Sequence, residues 1–208
     1  MEERLPQLDT DRIDHSIFVS ISSNVNGGCF SVSGRSILEV VDCMFFRCET
    51  SKMGGCIYAE LSELFVSKMN CFWCCVGGTE THAFQCNCPK STVDLNTIQL
   101  CAPSQVGAFG SYYILNSNVL VSSTNCTSCC IFDHGPSGFF TKSHVEIMNQ
   151  ITVGCIGKAV FIVNKGNSLV VDRINYVNNT QTRDCHFRQE VSETTLISNG
   201  VFVGNSRN

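Results

Sequence analysis

Apolar residues in this chain alternate with polar ones over short stretches, and the stretches return at a regular interval. Leu38-x-Val40, Leu64-x-Val66, Val93-x-Leu95, Val119-x-Val121, Val145-x-Ile147 and Leu169-x-Val171 are examples. Their second members, continued to Ile197, lie 26, 29, 26, 26, 24 and 26 residues apart. Period-two alternation over β-branched residues predicts strands. An interval of this size held from end to end predicts a repeat architecture, in which each unit buries its apolar face only against the next. No stretch carries the i, i+3, i+4 stripe of an amphipathic helix, which excludes ankyrin, tetratricopeptide and armadillo repeats.

About eight residues after each pair comes a second recurring position: Asn24, Cys48, Cys74, Ser104, Cys129, Cys155, Asn179 and Asn205, with a slip to nine at Ser104. Large side chains form two more columns. One runs through Phe30, Ile57, Phe84, Tyr113, Phe140, Phe161 and Phe187, the other through Phe45, Cys71, Leu100, Cys126, Thr152, Tyr176 and Phe202. Three short strands per unit match one rung of a parallel β-helix, with rungs stacked about 4.8 Å apart. Parallel crossovers are right-handed. The expected fold is therefore an all-β, single-domain, right-handed parallel β-helix of about seven rungs over residues 16–208, preceded by a polar cap or arm over residues 1–15. Val40, Val66, Leu95, Val121, Ile147, Val171 and Ile197 are expected in one buried ladder.

Gly27-Gly28-Cys29-Phe30 and Gly54-Gly55-Cys56-Ile57 resemble the GGA-[ILV] motif of polymorphic outer membrane protein repeats. Phe45-x-x-Cys48, Tyr176-x-x-Asn179 and Phe202-x-x-Asn205 resemble the partner F-x-x-N motif. Cysteine-rich β-helix proteins of flagellated protists carry similar rungs. The resemblance implies a pectate-lyase-like β-helix with polar residues stacked at a turn. It also makes a cytoskeletal or axonemal assembly the most concrete setting.

Net charge is −4 with 14 basic residues, which leaves no basic stripe for nucleic acid. No apolar run approaches the 18 or so residues that span a bilayer. The opening Met-Glu-Glu-Arg-Leu-Pro lacks the apolar core of a secretory signal, so a cytoplasmic location is expected. The fifteen cysteines admit three readings. A disulfide framework suits the ladder spacing of Cys48/Cys74 and Cys129/Cys155 but not the odd count or the absent signal. A zinc site would draw on Cys71, Cys74 and Cys75 with Cys86 and Cys88. The third reading, reduced cysteine as a small buried hydrophobe, is preferred, because equivalent positions hold Phe45, Leu100 and Tyr176. No metal and no cofactor are expected.

Catalytic residues are not expected either. Glu39, Phe65, Asp94, Leu120, Glu146 and Val170 form one outward column whose acids stand about 10 Å apart. That overshoots the separation of glycosidase carboxylates. The five histidines (His15, His82, His134, His144 and His186) show no metal-pair spacing. The leading expectation is a non-catalytic structural or interaction protein built into a larger protein assembly; the alternative is a carbohydrate-binding or carbohydrate-active β-helix. Docking is expected through the open C-terminal rung, at Ile197, Val201, Phe202 and Val203, and through the lateral face that carries Trp73, with proteins rather than nucleic acid or membrane as partners. Trp73 is the only tryptophan and falls beside Arg47 in register.

Overall fold

In a computed structural model the chain is described over residues 9–34, 36–76, 83–101, 112–131, 138–157, 161–182 and 187–207. Every pairing among these residues is parallel, and no helix occurs among them. On the first face Asp9–Asp14, Ser36–Val41, Glu63–Ser67, Lys90–Asp94, Asn118–Ser122 and His144–Met148 stack in order, followed by the middles of Phe161–Val177 and Phe187–Val203. A second face stacks Ile17–Val19, Met44–Phe46, Asn70–Phe72, Thr97–Gln99, Asn125–Thr127 and Ile151–Val153 onto the ends of the same two long strands. A third face runs from Phe30–Ser33 through Ile57–Glu60, Phe84–Asn87, Tyr112–Leu115 and Gly138–Thr141 to their beginnings. The fold is a parallel β-helix.

The first-face ladder is Ile13, Val40, Val66, Val93, Val121, Ile147, Val171 and Ile197. All six from Val40 to Val171 are completely buried. Leu95 is not a member: it lies past the strand in the turn, at φ 52° and 50% exposed. Val93-x-Leu95 offers two apolar residues two apart, and the strand uses the first. With Val93 in place the second position falls eight residues on in every coil, at Ile21, Cys48, Cys74, Cys101, Cys129, Cys155, Asn179 and Asn205. Cys101 and Ile21 thus replace the expected Ser104 and Asn24, and Ser104 lies outside the described residues. The same shift puts Ile98, not Leu100, above Cys71.

On the third face Tyr112, not Tyr113, pairs with Phe84, and Gly138 continues the column to Phe161. Gly138 is small because a Cβ there would stand 2.5 Å from the Tyr112 ring. Phe140 moves to the next inward position with Ile114 and meets Tyr112 edge-on at 5.6 Å. The segment expected as a polar cap contributes a strand: Asp9–Asp14 pairs with Ser36–Val41. Its acids do not prevent this, since an edge strand leaves charged side chains in water. The solenoid therefore includes Asp9–Asp14, ahead of the expected boundary at residue 16.

Each coil bends at two residues held at positive φ. One column is His15, Asp42, Lys68, Leu95, Ser123, Asn149, Arg173 and Asn199; the other is Ser20, Arg47, Trp73, Leu100, Ser128, Gly154, Asn178 and Gly204. Left-handed backbone costs an L-residue roughly 1–2 kcal/mol. The bend is retained because its N–H still reaches the next coil, as in Asp42 N–H to the Ser67 carbonyl (3.0 Å) and Trp73 N–H to the Gln99 carbonyl (3.0 Å). The intercoil ladder therefore passes through the corners without a break. At the Gly-Gly corners the backbone itself crowds: a Cβ on Gly28 would lie 2.0 Å from the Gly55 carbonyl oxygen.

Candidate interaction surface

Outward positions of the second face form two files four and six residues after the first-face ladder, and the second positive-φ column flanks them. In the N-terminal coils these positions hold Ile17, Val19, Met44, Phe46, Arg47, Phe72 and Trp73, an unusual concentration of apolar and aromatic groups outside the core. Ile17 is 69% exposed and Trp73 40%. Phe46 and Phe72, paired in register, stack at 5.5 Å with an interplanar angle of 12°. Trp73 meets Phe72 edge-on at 6.3 Å. Arg47 and Trp73 are consecutive members of the positive-φ column, which sets one above the other. The Arg47 guanidinium carbon lies 5.1 Å from the Phe46 ring centre and 5.0 Å from that of Trp73. The Trp73–Arg47 register read from the sequence is thus a direct contact. Among the described residues Arg47 joins no ion pair. A shallow depression of about 270 Å³ adjoins the rings, lined by Met44, Phe46, Asn70, Phe72, Thr97 and Gln99.

The other expected interface residues divide into two kinds. Ile197 and Phe202 are the last members of interior ladders, paired with Val171 and Tyr176, and are 42% and 46% exposed. Phe202 meets the Tyr176 ring edge-on at 5.5 Å. Val201 and Val203 point outward from the second face. They share the files of Met44 and Phe46 but lie five coils beyond Trp73, about 24 Å at the interstrand spacing. Between them the files run through the polar Thr97, Gln99, Asn125 and Thr127 before Ile151 and Val153. The structure therefore separates the Trp73 patch from the C-terminal coil rather than joining them.

On the first face the correct register removes Asp94 from the acidic column, and Thr92 takes its place. Glu39 and Glu146 are then four coils apart, about 19 Å, far outside the range of paired glycosidase carboxylates. Sequence spacing gave His144 no role. Its Nδ1 contacts Ser168 Oγ, and its Nε2 lies 3.4 Å from Glu146 Oε1. Ser168 is only 7% exposed, so this chain of polar groups presents no accessible hydroxyl nucleophile. His82, His134 and His186 lie outside the described residues, as do residues 132–137, which hold the Asp-His-Gly-Pro turn.

Thirteen cysteines have described side chains, all of them thiols and eleven of them buried. In the column beginning at Cys48 each thiol can donate either to the carbonyl two residues back in its own coil or across to one of the preceding coil. The pairs are Cys48 to Phe18 (3.6 Å), Cys74 to Phe45 (3.5 Å), Cys101 to Cys71 (3.9 Å), Cys129 to Ile98 (3.8 Å) and Cys155 to Cys126 (3.7 Å). Asn179 Nδ2 and Asn205 Nδ2 make the equivalent bonds to Thr152 (3.0 Å) and Tyr176 (2.7 Å). Cysteine here performs, more weakly, the turn-bridging of asparagine. Cys86 and Cys88 turn elsewhere, to one another and to Ser91 Oγ, 2.9 Å from Cys88 Sγ. The hydrogen bond from Cys86 draws the Cys88 thiol down to about 7. Of the cysteines in the zinc reading set aside above, Cys86 and Cys88 are engaged apart from Cys71 and Cys74, which approach Cys56, a residue that reading did not include.

Comparison with protein-family models, curated proteins and solved structures finds no match.

Proposed function

We propose that this protein is a non-catalytic interaction scaffold that docks another protein on its lateral aromatic patch. The observation that carries the reading is the Arg47 guanidinium held between Phe46 and Trp73 on an exposed apolar face. Exposed apolar patches of this kind mark interaction sites, and tryptophan and arginine are over-represented among the residues that dominate binding energy. The partner is an apolar segment with a carboxylate for Arg47, whose charge is stacked but has no ion-pair partner among the described residues. The exposed C-terminal positions Ile197, Val201, Phe202 and Val203 offer a second, separate surface to the same assembly.

A photo-crosslinker at Phe72, compared with one at Thr127 on the same face, tests the site. Crosslinks specific to Phe72 are expected, to an acidic segment of one protein. Trp73→Ala is expected to weaken that protein's binding by about thirtyfold or more, the factor of a strong interface residue, and Arg47→Glu to abolish it. Thermal unfolding should be unchanged in both. Equal binding by wild type and both variants would exclude the patch.

A further inference from the structure

We propose that Cys56, Cys71 and Cys74 form a buried three-thiolate binding site for one thiophilic metal ion, zinc foremost. The three Sγ atoms all lie within 4.8 Å of one another, and Cys56 Sγ and Cys71 Sγ are 3.7 Å apart. A zinc ion with Zn–S bonds near 2.3 Å and tetrahedral angles holds its sulfurs about 3.8 Å apart. The thiols come from three separate parts of the coil wall. Cys56 follows the Gly54-Gly55 corner, Cys71 is central in a second-face strand, and Cys74 follows the Trp73 bend. All three are at most 1% exposed, so the set is enclosed by its own coils and shielded from competing oxygen ligands.

Neighbouring coils show that these are not simply the positions where any thiol would fit. The Cys71 column holds Phe45 on one side and Ile98 on the other, and Ala83 follows Cys56 in its own column. In this coil all three columns carry cysteine, whereas the adjacent coils hold Cys29, Phe45 and Cys48 on one side and Ala83, Ile98 and Cys101 on the other. Cys48 lies one coil away in the Cys74 column, where its thiol reaches the Phe18 carbonyl. Each ligating thiol loses its proton to solvent on binding, three per ion, and affinity rises with pH. This revises the metal-free expectation drawn from the sequence.

The test is anaerobic refolding of the full reduced chain with cobalt(II), reading the visible d–d absorption of tetrahedral thiolate cobalt. The expected result is saturation at one equivalent, with bleaching by one equivalent of zinc. Cys56→Ala, Cys71→Ile and Cys74→Asn each install a residue that another coil carries at the same position (Ala83, Ile98 and Asn179), so folding is expected to survive. Each should weaken cobalt binding at least tenfold, whereas Cys155→Asn should leave it unchanged. The proposal is overturned if folded wild type shows no one-equivalent endpoint, or if the folded variants bind as wild type does. A variant that fails to fold by circular dichroism leaves the decision to the wild-type endpoint and the remaining variants.

Discussion

A single hydrogen-bonding position shows how far residue identity matters in this fold. Asn179 accepts the Cys155 N–H (2.9 Å) through Oδ1 and donates to the Thr152 carbonyl through Nδ2, completely buried. Asn179→Val strands both backbone groups and is expected to cost about 2 kcal/mol, within the range for buried unsatisfied polar groups. Asn179→Cys keeps a donor to the carbonyl and should lose about half as much; chemical denaturation of the pair checks the order. The positive-φ columns make a complementary point. Leu95 holds a left-handed backbone with its side chain half in water. Leu95→Asn relieves that strain and should gain about 1 kcal/mol, measured by the same denaturation. The F-x-x-C/N spacing made the turn position legible in the sequence. Its chemistry was not, because thiol and amide look alike only once both are seen reaching for the same carbonyl. The Cys56–Cys71–Cys74 convergence was likewise hidden, since it depends on the width of the coil rather than on spacing along the chain.

At the scale of the strand, alternation revealed the elements and their period but left the register ambiguous wherever two apolar residues stood two apart. The coil between Val66 and Val121 is the case. Taking Leu95 as the ladder residue forced a nine-residue slip to Ser104, whereas Val93 keeps the interval to Cys101 at eight, a regularity present in the sequence and not used. The assignment has a direct consequence. Val93→Ala removes completely buried methyl groups and should cost about 2 kcal/mol, while Leu95→Ala should change stability by less than about 0.5 kcal/mol. Reversal of that order in equilibrium unfolding would restore the Leu95 ladder. Tyr112 and Tyr113 posed the same ambiguity, and the answer lay in a neighbour. Gly138 leaves the space that the Tyr112 ring fills, so Gly138→Val should destabilise the third face.

For the whole molecule, the interior is one continuous stack while the exterior changes character from coil to coil. Aromatic groups gather around Arg47 and Trp73, amides and hydroxyls follow at Thr97, Gln99, Asn125 and Thr127, and aliphatic groups return from Ile151 and Val153 to Val201 and Val203. Because the outward files contribute little to the core, the surface can vary without disturbing the ladder beneath it. This is why the fold could be read from the chain and the patch only in part: Trp73 and Arg47 shared a register, but the stacking of Phe46 on Phe72 beside them depends on how neighbouring coils pair.

The unbroken intercoil hydrogen bonding through the corners has a mechanical meaning. Those bonds run along the solenoid axis, so tension applied between the chain ends loads them one coil at a time, and the molecule should unwind like thread from a spool. Each coil of about 26 residues would release roughly 90 Å of extended chain. Pulled in optical tweezers, the protein should lengthen in a staircase of near-equal steps rather than in a single rupture.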